Sequence, residues 1–202
     1  MSSYDYDPDA AGHADDVANR IDESAAYVGQ FKRAEAVVSQ QKGTEGMLLE
    51  FELPNGGSTE FTLWTRKADG TPIFGMNQLQ AILTIFNLKG LSSVPGTVQE
   101  YDADLGKRVE VDGEVFPDLL KKPIGVILQK EKYTSNSGRD SYRMNLFGIF
   151  HPESRLTASE IKERKVKPEK FEKMLRGLKD KDSRKKKEAE PSQPAMGADG
   201  GY

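Results

Sequence analysis

A mainly β fold with one internal helix and a helical C-terminal extension is what this 202-residue sequence predicts, and three patterns carry the prediction. Met47, Leu49, Phe51 and Leu53 alternate with Leu48, Glu50 and Glu52, and a second alternating pair runs over residues 124–133 and 142–150; period two marks a strand with one buried face. Leu79, Ile82, Leu83 and Phe86 recur at i, i+3, i+4 and i+7, one stripe of a helix. Farther on, Thr157-Ala158-Ser159-Glu160 is a capping box, and Pro168 suits the first turn of a helix carrying Phe171, Met174, Leu175 and Leu178 on one stripe.

The elements follow in order from those patterns. Pro54-Asn55-Gly56-Gly57 supplies a turn after the first alternating run. Phe61 and Leu63 continue the inward face across it, which sends Thr62, Trp64 and Arg66 outward, because successive strand side chains point to opposite sides. Ala68-Asp69-Gly70 closes that strand, and the helix is expected to end within residues 87–90. Short strands are expected over residues 97–101 and 107–111 around an Asp102-Ala103-Asp104 turn, with a connector over residues 115–120. In the last hairpin, alternation places Ile124, Val126, Leu128, Met144, Leu146 and Phe150 inward, and Gln129, Arg143, Asn145 and Phe147 on the other face. Its loop, residues 134–140, is too long and polar for a tight turn.

Composition sets the domain organisation. Hydrophobic residues make up 36% of the chain and charged ones 30%, a balance that leaves room for one core and solvated ends. Residues 1–26 are expected to be a disordered acidic tail, 27–152 the folded domain, 153–187 a basic helical extension and 188–202 a flexible, Pro- and Gly-containing tail. The net charge of −3 hides a segregation: the first thirty residues carry −6, whereas residues 153–187 hold fourteen Lys and Arg against seven Asp and Glu. Binding responds to such local potential more than to the total. The acidic N-terminus is the reverse of a targeting peptide and no apolar run reaches membrane-spanning length, so a soluble, cytoplasmic protein without a membrane partner is expected.

Catalytic chemistry is poorly supplied. The absence of cysteine removes disulfides, thiolate nucleophiles and cysteine-held metals together. His13 and His151 stand in no triad or metal-ligand spacing. Asp102, Asp104, Glu110, Asp112 and Glu114 could hold a cation in principle, but charged turns and strand ends are usually solvated. No glycine-rich phosphate loop is present. The expectation is therefore a protein that is not an enzyme and carries neither cofactor nor metal.

Binding chemistry is better represented. Holding a single nucleic-acid strand without reading its sequence takes a basic groove for the phosphates and aromatic faces for the bases. Trp64 with Arg66 and Lys67 meets that requirement, as do Lys130, Lys132 and Tyr133 before the long loop, Arg139 within it, and Arg143 and Phe147 after it. Each has a plainer reading: a lone Trp is as often partly core, Phe147 would fit beneath a terminal helix, and Tyr142 lies on the inward parity. The Arg184-Lys185-Lys186-Lys187 run is at most an accessory contact to a nucleic-acid backbone.

Five strings, Leu63-Trp64-Thr65-Arg66, Gly75-Met76-Asn77-Gln78-Leu79-Gln80, Lys122-Pro123-Ile124-Gly125-Val126, Tyr142-Arg143-Met144-Asn145-Leu146-Phe147-Gly148-Ile149-Phe150 and Leu156-Thr157-Ala158-Ser159-Glu160, are similar to those of a family of small phage proteins. That family binds single-stranded DNA through an OB-like barrel, and the similarity spans roughly residues 30–180. The resemblance implies an OB-like five-stranded barrel with a helix between strands three and four. It also implies single-stranded DNA as ligand, a place in phage DNA replication or recombination, and the cytoplasm of the bacterial host. The C-terminus departs from the acidic tail common among single-strand binders, with only Glu188, Glu190 and Asp199; the acidic N-terminal tail is the candidate for that role. Two other classes compete: a recombination mediator or strand-annealing protein, which would form higher-order rings, and a phage module that binds protein partners and no DNA. Phage or host replication and recombination proteins are the expected partners of the tails, and an oligomer is compatible with each class.

Overall fold

The computed structural model describes residues 21–102, 105–135 and 137–184. Eight strands and three helices follow in the order β1 (Ala25–Val38), β2 (Glu45–Glu52), β3 (Ser58–Arg66), α1 (Phe74–Ile85), β4 (Val94–Asp102), β5 (Lys107–Val115), a 3-10 turn (Pro117–Leu119), β6 (Pro123–Thr134), β7 (Asp140–Phe150), α2 (Ala158–Lys162), α3 (Glu169–Gly177) and β8 (Lys181–Asp182). The fold is mainly β, and its main ladders are antiparallel.

The long strand β1 organises the sheet because it serves two long ladders in succession and also meets β5, where Glu35 pairs with Val115. Its first half, Ala25 to Gln30, pairs with Leu128 to Pro123 of β6, and its second half pairs with β2 across a bulge between Phe31 and Arg33. A bulge adds one residue, bends the strand and increases its twist, which is what lets a single strand border both halves. β2 pairs with β3, β6 with β7, and the short β8 with β6 in parallel. β3 and β7 run close to each other, yet no ladder joins them among the described residues, so the sheet stays open between these two strands. The short strands expected over residues 97–101 and 107–111 are present as β4 and β5, which pair as a hairpin after α1 and bring the strands among the described residues beyond the five that the resemblance implies.

Alternation places the core where the sequence pattern put it. Met47, Leu49, Phe51, Phe61, Leu63, Ile124, Val126, Leu128 and Met144 are buried together with Leu79, Ile82 and Leu83 of α1. Phe31 is the centre, edge-on to Phe51, Phe61 and Phe86 at 6.2–6.4 Å between ring centroids. Ile21 is also buried in this cluster and β1 begins at Ala25, both within the stretch assigned to the acidic tail. The remainder of that stretch, residues 1–20, lies outside the described residues, as does the tail 188–202.

Phe150 departs from its expected inward placement. β7 carries a bulge at Phe147, so Leu128 pairs with Leu146 while Ile127 pairs with Gly148. The extra residue flips the parity beyond it, leaving Ile149 in the core and Phe150 in a second cluster with Ile127 and Phe171. There α3 docks through Phe171, whose ring lies 4.6 Å from that of Phe150, and through Met174 and Leu175. Opposite Phe150 stands Gly125, where a Cβ atom would be driven into the Phe150 ring. Gly125→Ala is expected to cost about 1–3 kcal/mol as an overpacked core does, read as a lowered midpoint in urea unfolding; an unchanged midpoint would mean that the ring has somewhere else to go.

The capping box is present: Glu160 Oε2 accepts from the Thr157 backbone N–H at 2.8 Å, and its other oxygen accepts from Lys170 N–H at 2.6 Å. Burial acts to raise this carboxyl, but the Thr157 and Lys170 backbone donors and the Thr157 hydroxyl outweigh it and hold the group below its ordinary range. Glu160 thereby ties the start of α2 to the start of α3. No helix among the described residues is long and apolar enough to cross a membrane.

Candidate nucleic-acid interface

The opening between β3 and β7 is a cleft of about 500 Å³. On the β3 side, alternation buries Phe61, Leu63 and Thr65 and turns Thr62, Trp64 and Arg66 outward, as expected. Trp64 is 37% exposed. Its ring lies across Gly46 of the neighbouring strand, where a Cβ would stand 2.8 Å from ring atom Cε3, so the glycine gives the indole a flat seat. Leu48 and Thr62, directly paired, continue that wall.

The opposite wall is β7, through Arg143, Met144, Asn145 and Leu146. Met144 is core; Arg143 and Asn145 are held by Glu131 across the ladder, with Nε of Arg143 at 3.0 Å and Nδ2 of Asn145 at 2.7 Å from Oε2. Glu131 is only 3% exposed and takes two more donors on Oε1, the Ser183 hydroxyl at 2.6 Å and Lys181 Nζ at 2.9 Å. The Ser183 hydrogen bond, followed by those of Lys181, Arg143 and Asn145, outweighs burial and holds this carboxyl far below the usual carboxylate range. Glu131 engages Nε, so the terminal guanidinium nitrogens of Arg143 retain four further N–H donors of their own. The Arg143 guanidinium also lies 5.3 Å from the Tyr133 ring centroid.

The predicted residues are thus not gathered in one place. Trp64 and Arg143 face one cleft, with Tyr133 stacked behind Arg143. Lys130 and Lys132 lie on the other face of the β6–β7 hairpin: Lys130 sits 4.5 Å over the ring of Tyr142, which is 37% exposed, and Lys132 is 3.9 Å from Asp180. Alternation within one strand separates these lysines from Tyr133, which stretched reading by cluster does not detect. Arg66 continues β3 past the cleft and lines a separate cavity of about 390 Å³ with Glu45, Met76 and Phe116, while Lys67 is exposed in the following turn. Arg139 is exposed at the tip of the hairpin, in a turn closed by the Ser135 N–H to the Arg139 carbonyl at 2.8 Å. Phe147, the bulge residue, is 38% exposed and belongs to neither apolar cluster.

Two features of the site escape sequence reading. Glu131, between Lys130 and Lys132, looks like part of a solvated charge run; only its register opposite Arg143 signals a buried anchor. The second is the contact that the hairpin β4–β5 makes with β3, where Arg108 grips Glu60 at 2.6 and 2.7 Å at the edge of the cleft. Arg33 pairs with the same carboxylate. The Arg108 hydrogen bonds, against burial, hold Glu60 below its ordinary range. Burial pushes Glu35, 3.5 Å from Arg33, in the opposite direction. The outward face of β1–β2–β3 is consequently a network of paired charges, in which Lys32, Arg33 and Arg108 meet Glu35, Glu50, Glu52 and Glu60.

Of the residues weighed for catalysis, His151 accepts from the Ser154 backbone N–H at 3.3 Å in a turn, and His13 lies outside the described residues. Among the described residues no His, Asp and Glu gather in a group of three suited to a metal ion. Compared with known proteins, the chain matches no family model and no curated protein.

Proposed function

We propose that this protein binds single-stranded DNA without catalysis and largely without regard to sequence, in phage DNA replication or recombination in the cytoplasm of the bacterial host. The observation that carries the reading is the pairing of Trp64 and Arg143 across one open cleft. An exposed indole offers a base a stacking surface, and a guanidinium fixed at Nε offers the adjoining phosphate a forked donor. The strand path supports an OB-like architecture: β1 borders both β2 and β6, β2 pairs with β3, β6 pairs with β7, and α1 stands between β3 and the β6–β7 hairpin, with β4–β5 as an insertion. On this reading the gap between β3 and β7 is the unzipped seam of the barrel.

A partner-binding module is the second reading, favoured by a groove of about 880 Å³ along α1 and α2 whose rim carries Phe74 at 72% exposure. One titration separates the two. Trp64 is the only tryptophan, and its fluorescence is expected to be quenched by oligo-dT, less so at higher salt, with little response to duplex DNA. Trp64→Ala is expected to weaken binding by about 1–3 kcal/mol, roughly 5- to 150-fold, in a mobility-shift assay, and to leave the unfolding midpoint nearly unmoved. No binding by the wild-type chain would leave the partner-binding reading standing alone.

A further inference from the structure

Of the described residues that line the cleft, Glu60 is the only acid. A carboxylate in the wall of a groove for a polyanion opposes binding unless it is paired, and Glu60 is paired twice. Arg108 donates to it through both terminal nitrogens, Nη1 to Oε1 at 2.6 Å and Nη2 to Oε2 at 2.7 Å, and Arg33 donates to the same Oε1 through Nη2. Two guanidinium groups thus converge on one anion at the rim of the cleft.

The two arginines are not equivalent. Arg33 is mostly buried and is shared with two further acids, Glu50 at 3.2 Å and Glu35 at 3.5 Å. Arg108 keeps 46% of its side chain exposed, and its ion pair among the described residues is with Glu60. That pair leaves free its Nε–H and a second N–H on each terminal nitrogen. Arg108 also comes from outside the strands that wall the cleft. The β4–β5 hairpin joins β1 where Glu35 pairs with Val115 and the Phe116 N–H donates to the Ala34 carbonyl at 2.9 Å, yet its Arg108 meets β3, with β1 and β2 lying between β5 and β3 in the sheet. A planar guanidinium that grips a carboxylate with two parallel bonds grips a phosphate in the same way.

We propose that Arg108 is a further strand-binding residue of the cleft and that Glu60 is its built-in competitor: the Glu60 carboxylate occupies the seat of a backbone phosphate, and a single strand entering the cleft takes Arg108 from Glu60 while Arg33 keeps it. The inference rests on the single-strand reading of the cleft. It gives the β4–β5 hairpin a task, which is to carry a cation to the rim that β3 does not supply. Glu60 neutralises that cation until a phosphate replaces it, and Arg33 prevents the displaced carboxylate from being left without a partner.

The test is the full-length chain carrying Glu60→Gln, Arg108→Gln or both, titrated with oligo-dT at two salt concentrations and followed by Trp64 fluorescence and by mobility shift. Both single variants break the same ion pair, yet the expected effects have opposite signs. Glu60→Gln removes the competitor and is expected to bind more tightly, by at most about fivefold, the worth of an exposed ion pair, with the salt slope unchanged. Arg108→Gln removes a phosphate contact, so the slope of log K against log salt should be shallower by about 0.7. Its loss of affinity should accordingly be roughly 2.5 times larger at about 50 mM salt than at about 200 mM. The double variant is expected to match Arg108→Gln, because the gain from Glu60→Gln runs through Arg108. Weaker binding by both single variants would make the pair a structural clasp and overturn the proposal, as would a wild-type slope for Arg108→Gln. A gain from Glu60→Gln that persists in full without Arg108 would also overturn it, by showing that the carboxylate acts on the strand through space alone. Each of those results leaves the cleft reading intact, whereas a wild-type chain that does not bind the oligonucleotide would overturn both.

Discussion

Phe31→Ala is expected to destabilise the protein by about 3–5 kcal/mol, as removal of a fully buried aromatic ring does. The ring has no solvent exposure and is met edge-on by Phe51, Phe61 and Phe86, one from β2, one from β3 and one from the end of α1. Edge-to-face contacts of this kind add about 0.5–1.5 kcal/mol each beyond area burial, and none of the three rings can follow a truncated side chain without leaving its own strand or helix. Against a typical total of about 5–15 kcal/mol, the loss is about a fifth of the stability or more. Urea unfolding followed by circular dichroism measures it as a fall in midpoint at constant slope. Phe31→Leu keeps most of the volume and should cost less than about 1.5 kcal/mol. A loss under 1 kcal/mol for the alanine variant would show that the sheet and helix collapse onto the vacated space.

That this core was legible in the sequence has a simple cause. Met47, Leu49 and Phe51 alternate without interruption, and the stripe from Leu79 to Phe86 keeps one period throughout; a pattern that never changes phase can be read from one dimension. Phase breaks are what the sequence conceals. Phe150 changed faces because one bulge residue, Phe147, entered β7, and no local residue type announces a bulge there. β1 was not legible as a single strand of fourteen residues because its two halves face different partners and its bulge divides the pattern. The same logic applies to the site. Trp64 was visible as an outward residue from Phe61 and Leu63 alone. The role of Glu131 depends on four donors, two from β7, one from β8 and one from Ser183 just after it, and a contact that joins residues 131 and 183 has no local signature.

The electrostatic arrangement explains why the total charge was a poor guide. Glu35, Glu50 and Glu60 are met by Lys32, Arg33 and Arg108 within the β1–β2–β3 and β4–β5 surfaces. Those acids contribute to the count without repelling a polyanion at the cleft, since paired charges cancel within a few ångströms. Among the described residues of the C-terminal segment, Lys179, Lys181 and Arg184 outnumber Asp180 and Asp182, and β8 runs beside β6. A net charge of −3 is thus compatible with a local positive path along the strand expected to bind.

Glu131→Gln is expected to lower stability by about 2 kcal/mol at neutral pH, in the range for hydrogen bonds to a buried charged group. The amide fills the same space but presents an NH2 where donors already crowd, so at least one oxygen's worth of acceptor is lost and the Lys181 and Arg143 charges lose their counter-charge. Because the native pKa of Glu131 is depressed, its contribution is fully present above the unfolded-state value of about 4.3 and is lost as the pH falls from there through the lower native value. The stability difference between wild type and variant should therefore hold constant above about pH 5 and shrink below about 4.3, whereas other carboxylates titrate alike in both proteins and cancel. Hydrogen exchange supplies the local readout: the Ser183 amide, bonded to the Lys132 carbonyl, should lose protection in the variant while amides of β2 keep theirs. An equal exchange rate at Ser183 in both proteins would mean that backbone pairing alone seats β8, and that Glu131 fixes Arg143 and Asn145 without fixing β8.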